Sequence, residues 1–535
     1  MELRTLRVLP LLLASLVSAA GCGPDVPEST VVNRVRVVLP TDPLTLSPVG
    51  KNDRYSELIG MQITDSLVQY DSQLQIVPRL AESWDMAPDG LSVTFHLRDG
   101  VRWHDGEPFT AGDVLLTIAK ARDPATEARS HMAQFERLVS LTAPDRSTVV
   151  AVYDHPNPDL LESWTIPILP AHRIDPDEDL LTSDFASSPV GCGPFRFVSY
   201  KPGQVLVLEA NDDYWDGRPG LDRIEFQVIP DERTSYQALL TGDVDMLAVS
   251  PTIWRESQTS EQASHLSRFT FSLLNVWYLA WNQDPAGYFT DADTRKAMML
   301  ALDRRTFSET VLYGLATPGI TTYHPESFWA DPSLAPRPYD PNQAEALLAE
   351  AGWNDSDGDG VLDRDGRPFR FTLLFPRGSQ EIAPRMAAWM QQSWADLGIE
   401  INIESLEWRA FLERRNAGNF HAAMATLSFS SPSPDQFELY HSSARDDGFN
   451  FFGLNDPEVD RLLEEGRGQF DPEERLAIYR QLQRRLYELE PLGCVFHFTS
   501  PVLHQPGLIG LEPSPLDMWR HWPGPRAWRM VRENP

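Results

Sequence analysis

A run of alternating acidic residues is the strongest chemistry-bearing pattern in this chain. It reads D-S-D-G-D-G-V-L-D and places Asp355, Asp357, Asp359 and Asp363 where a calcium loop has its first, third, fifth and ninth residues. Alternate carboxylates can direct their oxygens at one hard cation. The twelfth position is Gly366, where such a loop needs a bidentate carboxylate. The pattern therefore predicts a weak structural calcium site, and a solvated acidic turn between a helix and a strand is the alternative.

The common catalytic patterns are missing from the sequence. It contains no H-E-x-x-H zinc motif, no G-x-S-x-G nucleophile elbow and no phosphate-binding G-x-x-x-x-G-K-[ST] loop. Its 12 histidines include no pair at the i, i+4 spacing that suits two metal ligands on a helix. We therefore predict a protein that is not an enzyme and has no resident cofactor beyond the calcium considered above. A secreted hydrolase whose catalytic residues converge only in space is the alternative.

The N-terminus has the composition of an export leader. Two arginines precede an apolar stretch at residues 9–17, and small residues follow up to Cys22. The stretch is too short to cross a membrane as a helix. Its end, A-A-G-C, resembles a bacterial lipoprotein cleavage site, which implies removal of residues 1–21, lipidation of Cys22 and a tether at residues 22–30. An ordinary secretory leader that is cut nearby is the alternative.

Two further cysteines, Cys192 and Cys494, would remain in the exported chain. Exported proteins fold in an oxidising environment, so this pair is compatible with a disulfide. Because the two residues are far apart in sequence, such a bridge would close a long loop and contribute a few kcal/mol. Two free, buried thiols are an equal alternative.

Length and charge limit the class of protein further. A chain of 535 residues with 42% hydrophobic residues is too long for one core and should divide into two or three. Its formal net charge of −31 would repel nucleic acid and anionic lipid surfaces. These numbers predict a water-soluble body that does not bind nucleic acid. We also expect a monomer.

Local patterns predict both strands and helices. Apolar and polar residues alternate at residues 93–97 and again at 101–103, with a D-G turn between them, which predicts a β-hairpin. Thr110 and Asp113 have the spacing of a capping box and predict the start of a helix. A similar strand is predicted at residues 399–406. The chain is therefore expected to contain both kinds of element.

Three D-P dipeptides predict the starts of helices. They begin at Asp340, Asp456 and Asp471, and each places proline in the first helical position, where its missing N–H costs nothing. After Asp471, apolar side chains recur at helical spacing, which predicts a buried face.

Longer sequence words connect the chain to a known family. W-x-x-x-P-D-G, F-H-L-R-D-G-V and W-H-D-G-E-P-F-T-A-x-D-V lie within residues 67–114, and G-C-G-P-F-R-F and Y-D-P-N-Q-A-E-A-L-L-A-E-A-G-W follow later. In this order they resemble the extracytoplasmic solute-binding proteins of the peptide/nickel group, solute-binding family 5, which serve ABC importers. The resemblance covers nearly the whole exported chain. It implies the large periplasmic-binding-protein fold (type II, three-lobed), an α/β fold with mixed sheets and a ligand cleft between the lobes.

The resemblance also implies how the chain divides into lobes. Lobe I would consist of residues 31–66, 188–274 and 493–535, lobe II of residues 67–187, and lobe III of residues 275–492. Two connections between lobes would then act as a hinge, and ligand binding between the lobes would favour closure.

Several aromatic residues lie near segments that line the cleft in related receptors. Trp277 and Tyr278 belong to the word N-V-W-Y-L-A-W-N, and Trp408 follows the strand predicted at residues 399–406. The resemblance implies that these three side chains are ligand-contact candidates.

The loop F-S-S-P-S-P-D adds Phe429, Ser430, Ser431 and Asp435 as ligand-contact candidates. It corresponds to the loop in which peptide-binding relatives carry an aspartate that pairs with the free ammonium of the peptide. Ser430 stands at that position here, and a serine cannot make the charge-assisted bond of a carboxylate. A shift of the alignment by one gap would restore an acid.

The function implied by the resemblance is the capture of a peptide or similar small solute by lobe closure. The solute would pass to ABC permease and ATPase subunits that are separate chains, since this chain carries neither membrane spans nor a P-loop. The protein would lie in the periplasm or at the cell surface and contact the membrane only through its lipid. Alternatives within the same fold are a chelated metal, an oligosaccharide or an opine-like ligand; a lipid-tethered chaperone is an alternative of another class.

Overall fold

Strands with alternating burial build the sheets of this protein. In the strand Arg34–Leu39 every second side chain is buried, and the same pattern recurs in Ser92–Leu97. Successive side chains of a strand point to opposite faces, so alternation leaves one face for a core. The computed structural model describes residues 33–50, 53–128, 132, 134–180, 182–377, 382–429, 431–445 and 448–531.

The strands of the described residues are numbered in chain order. They are β1 (Arg34–Leu39), β2 (Val68–Tyr70), β3 (Ile76–Pro78), β4 (Ala81–Met86), β5 (Ser92–Leu97), β6 (Leu138–Thr142), β7 (Thr148–Tyr153), β8 (Phe195–Lys201), β9 (Val205–Ala210), β10 (Arg223–Val228), β11 (Met246–Ala248), β12 (Ser267–Ser272), β13 (Asn275–Trp281), β14 (Ala316–Pro318), β15 (Asp363–Arg364), β16 (Arg367–Pro368), β17 (Arg370–Pro376), β18 (Glu400–Leu406), β19 (Ala422–Ser428), β20 (Leu492–His504), β21 (Leu508–Ile509) and β22 (Arg529–Met530).

The α-helices of the same residues lie between these strands. They are Arg54–Ile63, Ala111–Arg122, Glu232–Leu240, Pro251–Thr259, Ala292–Leu300, Arg304–Val311, Pro341–Glu350, Ile382–Ala395, Trp408–Asn416, Phe437–Tyr440, Pro457–Gly468 and Pro472–Leu489. Within the described residues, none of these helices is both long and apolar enough to span a membrane.

One large mixed sheet runs through the molecule. Its strand order is β18-β17-β19-β13-β20-β11-β1-β10-β9-β8, and β12 and β14 also pair with β20. β20 is 13 residues long; its first part pairs with β13 and its second part with β12. This strand therefore belongs to both halves of the sheet.

A separate antiparallel sheet has the order β4-β5-β7-β6. The predicted hairpin between residues 93–97 and 101–103 is wrong, because β5 pairs with β4 on one side and β7 on the other. Residues 101–103 contribute only an isolated bridge, between Arg102 and Pro108. Both edges of β5 are taken by strands of six residues, so the short return segment has no edge to pair with.

The predicted helix starts are confirmed. Asp340, Asp456 and Asp471 each accept backbone N–H groups at the start of a helix whose first residue is proline. The capping box is also present, since the Asp113 carboxylate accepts the backbone N–H of Thr110 at 2.7 Å.

Hydrophobic side chains pack into several clusters rather than one. One cluster takes nearly all of its members from residues 49–192, and two others, on either face of the large sheet, come from residues 277–496. Two further clusters combine residues 35–266 with the C-terminal part of the chain from Val502 on. By its contacts, Asn33–Pro535 nevertheless forms one compact unit. The predicted lobe limits stay a prediction.

A buried arginine pairs with acidic residues that are distant in sequence. Arg79 is 2% exposed, and its guanidinium pairs with Asp65 and with Asp216, each at 3.2 Å. The rings of Trp522 and Trp215 lie against it, at 3.6 Å and 4.6 Å from the ring centroids. Burial alone would lower the pKa of Arg79, but the neighbouring carboxylates keep it above its ordinary value. The arginine is therefore charged at every physiological pH, and loss of a partner would leave a buried charge unpaired.

The cysteine pair does not form a disulfide; both thiols are free and buried, which corrects the disulfide alternative. Cys192 packs in the cluster of residues 49–192, whereas Cys494 lies in β20 opposite Tyr278. The turn around Cys192 is tight, because a Cβ at Gly191 would lie 1.8 Å from the carbonyl oxygen of Ile63. The two thiols are thus held apart in different cores.

The first testable prediction concerns the buried pair. Asp65→Asn should lower the free energy of unfolding by about 3 kcal/mol, because it leaves the buried Arg79 without its fully buried partner. Urea unfolding followed by tryptophan fluorescence measures this. Glu413→Ala breaks an exposed helical pair with Arg409 and should change stability by less than about 0.5 kcal/mol. Equal effects of the two variants would contradict the assignment.

The second prediction concerns the thiols. Burial raises the pKa of Cys192 and of Cys494, so neither should be a thiolate at neutral pH. In protein prepared without the leader and Cys22, we expect no reaction with a thiol reagent under native conditions and two reacting thiols in urea. If no thiol reacts in urea in the absence of reductant, the two cysteines form a disulfide.

Candidate functional site

The loop of residues 429–435 is where distant parts of the chain meet. The backbone N–H of Phe429 donates to the carbonyl of Leu274 at 2.8 Å. Its ring packs against a small apolar cluster that contains Tyr70, Leu274 and Leu516. The loop is therefore attached to strand-connecting segments from the start, middle and end of the chain.

Two serines of this loop bind acidic residues of another segment. The Ser431 hydroxyl donates to the Glu162 carboxylate, and the Ser433 hydroxyl donates to Asp159 at 2.6 Å. Glu162 lies in the short 3-10 helix Leu160–Thr165, which Asp159 immediately precedes. These bonds connect the 429–435 loop with the part of the chain that was predicted to form lobe II.

An arginine completes the same contact. Arg475, in the first turn of the helix Pro472–Leu489, is 5% exposed and grips both carboxylate oxygens of Asp159, one of them at 2.6 Å. Burial lowers the pKa of Arg475, but the bonds to Asp159 outweigh this and the pKa lies above its ordinary value. A bidentate pair of this kind is strong and has a defined geometry. This pair neutralises the negative charge of Asp159.

Glu162 is in a different electrostatic position. Burial, together with the negative charge of Asp159, raises the pKa of Glu162 to about 8, against the opposing effects of Ser431, Tyr70 and Arg475. The Tyr70 hydroxyl is buried and faces the same carboxylate, yet it makes no hydrogen bond of regular geometry among the described residues. Burial and the Glu162 charge also raise the pKa of Tyr70. The contact thus contains a buried tyrosine hydroxyl whose approach to Glu162 and Ser431 is not that of a regular hydrogen bond.

Asp435, at the end of the loop, already has a cationic partner. Its carboxylate accepts from Arg467 at 2.7 Å and from the backbone N–H of Phe437 at 3.0 Å. The Arg467 guanidinium also covers the ring of Phe437. The negative charge of Asp435 is therefore neutralised by Arg467.

Sequence reasoning did not find Asp159, Glu162, Arg475 or Tyr70. An acidic residue in a first helical turn reads as a favourable surface charge. An arginine in an amphipathic helix reads as part of the solvated face. No local sequence pattern indicates that the fold brings these residues together, because they are far apart in the chain.

The predicted aromatic contacts lie elsewhere. Trp277 and Tyr278 are 7% and 4% exposed on opposite faces of β13, and each packs in a hydrophobic cluster. Trp408, by contrast, is 51% exposed at the start of its helix and packs against Phe411. Ser430 lies outside the described residues. The structure thus brings Phe429 and Ser431 to the contact described above, and the predicted ligand contacts stay predictions.

Three of the four predicted calcium ligands converge. Asp355, Asp357 and Asp359 each place a carboxylate oxygen within 4.8 Å of the others. Asp363 does not join them, because its carboxylate is held by the backbone and hydroxyl of Ser356. Asp355 itself accepts two N–H groups of its own loop, at 2.8 and 3.1 Å. Such internal hydrogen bonds also occur in acidic turns that bind no metal, so they do not by themselves indicate a calcium site.

The described residues form an α/β protein in which one long strand, β20, connects separate hydrophobic clusters, an arrangement compatible with a solute-binding protein.

Comparison with known proteins identifies the family. Residues 75–449 match the family model described as "Bacterial extracellular solute-binding proteins, family 5 Middle". The chain belongs to this family of solute-binding proteins, as its sequence words predicted.

Individual relatives agree with this. The oligopeptide-binding protein AppA of Bacillus subtilis (strain 168) is 30% identical over 487 residues, which cover 89% of this chain and 88% of that protein. The structure of AppA from Bacillus subtilis in complex with a nonapeptide aligns with a TM-score of 0.77 at 27% identity, over 93% of this chain and 99% of that one. NikA from Brucella suis in complex with Fe(III)-EDTA aligns with a TM-score of 0.81 at 25% identity, over 92% and 99%. The predicted fold is confirmed.

The third prediction concerns calcium. The Asp355–Asp357–Asp359 group lacks a bidentate ligand, so Ca²⁺ should bind no more tightly than about 1 mM. Calorimetric titration of the metal-free protein measures this. Asp357→Asn should weaken the binding further, whereas Asp363→Asn should not, since Ser356 holds that carboxylate. Micromolar affinity would contradict the prediction.

Proposed function

We propose that this protein captures a peptide or similar small, extended solute outside the cytoplasm and delivers it to an ABC importer. Membership of the solute-binding family carries this proposal. The similarity to a protein named for oligopeptide binding, and to its complex with a nonapeptide, supports a peptide as the solute. The permease and ATPase are separate chains in this proposal.

The ligand would bind between lobes with the limits predicted from the sequence. The 429–435 loop would belong to lobe III, Asp159 and Glu162 to lobe II, and Leu516 to lobe I. All of them contribute to the polar and apolar contact described above. Ligand could stabilise the closed arrangement only by binding it more tightly than the open one.

Two strands would act as the hinge between lobes I and III. β20 pairs first with β13 and then with β12. Asn275, at the start of β13, binds β20 at the point where its partner changes. The carbonyl oxygen of Asn275 accepts from His497 at 2.8 Å, and its side-chain oxygen accepts from the Phe498 N–H at 3.3 Å. Few backbone dihedrals at such a crossing need to change for two rigid bodies to rotate.

The remaining parts of the proposal concern location and chemistry. The leader, residues 1–21, would be removed, and Cys22 would carry lipid that anchors a monomer at the periplasmic or cell surface; these residues lie outside the described part of the chain. The protein would bind its solute without covalent change and would not be an enzyme.

A chelated metal is the second candidate ligand. The similarity to NikA in its complex with Fe(III)-EDTA favours it, since that structure aligns with this chain over nearly its whole length.

The fourth prediction tests the ligand class. We expect saturable heats of binding for some members of a panel of di-, tri- and longer peptides, with one peptide bound per chain. Asp159→Asn should weaken that binding roughly tenfold, equivalent to about 1.4 kcal/mol, because it breaks the pair that links Asp159 to Arg475 across the contact. Isothermal titration calorimetry of the protein lacking leader and lipid measures both effects.

The matched control is Asp154→Asn, which removes an exposed carboxylate of the same segment and should leave the affinity unchanged. Heats absent for every peptide, but present for chelated nickel or iron, would contradict the peptide proposal and support the second candidate.

A further inference from the structure

A surface cavity lies between the helix Pro472–Leu489 and the segment of residues 320–334, which follows β14. It has a volume of about 310 Å³ and a wall of apolar and polar side chains. The lining includes Tyr323, Phe328, Asp331, Leu334, Arg480 and Gln483. None of the described residues that the sequence suggested as ligand contacts lines it, so the cavity is distinct from the predicted solute contacts.

Arg480 brings an unpaired positive charge to this cavity. Its Nε atom is buried but has no hydrogen-bond partner, and its guanidinium forms no ion pair among the described residues. Two other arginines of the same helix are paired: Arg484 binds Asp331 at 2.6 Å, and Arg485 binds Asp456 at 2.7 Å. A buried N–H without an acceptor is unfavourable, so an acceptor from outside the chain would be stabilised there.

The acid of the lining, Asp331, does not neutralise Arg480. Its carboxylate accepts from Arg484 and also from the hydroxyl and the backbone N–H of Ser333, at 2.7 and 2.9 Å. Burial would raise the pKa of Asp331, but these bonds lower it below its ordinary value. Asp331 is therefore charged and paired with Arg484, which leaves the positive charge of Arg480 available.

The rest of the wall is largely apolar and is held by hydrogen bonds. Phe328 is 68% exposed, and Leu334 is half-buried. A ligand that covers such a ring gains hydrophobic free energy. The Gln483 side chain fixes the wall, because it donates to the carbonyl of Trp329 at 2.8 Å and accepts the backbone N–H of Asp331 at 3.0 Å.

We propose that this cavity binds a small organic carboxylate, whose two oxygens accept from Arg480 and whose apolar body covers Phe328. A guanidinium presents parallel N–H donors that match the two oxygens of a carboxylate. A multiply charged anion such as phosphate would need more donors than one arginine, and the apolar wall offers none. The site goes beyond the proposed function and does not rest on it, because it lies apart from the predicted solute contacts.

The fifth prediction compares hydrocinnamate with hydrocinnamyl alcohol, which has the same carbon skeleton without the charge. Hydrocinnamate should bind with a dissociation constant on the order of 1 mM, and the alcohol at least about fivefold more weakly, because it cannot form charge-assisted bonds to Arg480. Arg480→Gln should bind hydrocinnamate as weakly as the alcohol. Saturation-transfer difference NMR of the protein prepared without leader and lipid measures these affinities.

Two further variants separate the role of Arg480 from general effects. Arg305→Gln removes an exposed arginine of the same predicted lobe and should bind both probes as the unaltered protein does. Ala330→Phe fills the cavity while leaving Arg480 in place, and it should abolish the binding of both probes. Circular dichroism with thermal unfolding checks that each variant is folded.

Three results would overturn the inference. They are equal affinity of the unaltered protein for the two probes, undiminished hydrocinnamate binding by Arg480→Gln, and loss of peptide binding in Arg480→Gln, which would place this arginine in the solute cleft. If hydrocinnamate binds through Arg480 while no peptide binds at all, the inference stands and the peptide proposal fails.

Discussion

The pairing of the buried Arg79 with Asp65 is the interaction on which the rest of the structure depends. Asp65 accepts from Arg79 through its carboxylate, and its backbone carbonyl also accepts from the N–H of Ile168 at 2.9 Å. Ile168 follows shortly after the 3-10 helix that carries Glu162. A guanidinium enclosed by tryptophan rings tolerates little displacement, because its charge has no solvent to replace a lost partner. The place of Glu162 is therefore determined by a charge pair far from it in sequence.

The large mixed sheet is the second part of the structure that positions the 429–435 loop. β20 carries the chain between two halves of the sheet, and Asn275 links the crossing strands. Val495 and Phe496 of β20 belong to one hydrophobic cluster and Val502 to another, so this strand connects two cores. The 429–435 loop begins directly after β19, which pairs with β13. The loop thus reaches the Leu160–Thr165 segment from a strand of the large sheet.

The site follows from how charge is distributed over this frame. Asp159 and Asp435 each have an arginine, and only Glu162 is left with hydroxyl neighbours. Similar residues therefore have different roles, decided by which cation lies within reach.

The sequence by itself determined the family, the α/β class and the local starts of helices. Asp340, Asp456 and Asp471 cap helices because a side-chain acceptor and a proline act on the next few residues, without help from the rest of the chain. Wherever the partner is distant, local patterns were insufficient. The D-G turn after β5 suggested a hairpin, yet β4 and β7 occupied both edges of that strand.

For residues whose partners are distant in sequence, only the tertiary structure decided which of two predicted states is present. Cys192 and Cys494 could have paired or stayed free, and their placement in separate cores leaves them free. The same holds for Glu162 and Asp435, since burial and the nearest countercharge set the state of a carboxylate. Those quantities depend on distant residues, since Ser431 is 269 positions from Glu162 and Arg467 is 32 positions from Asp435, so a short sequence window cannot contain them.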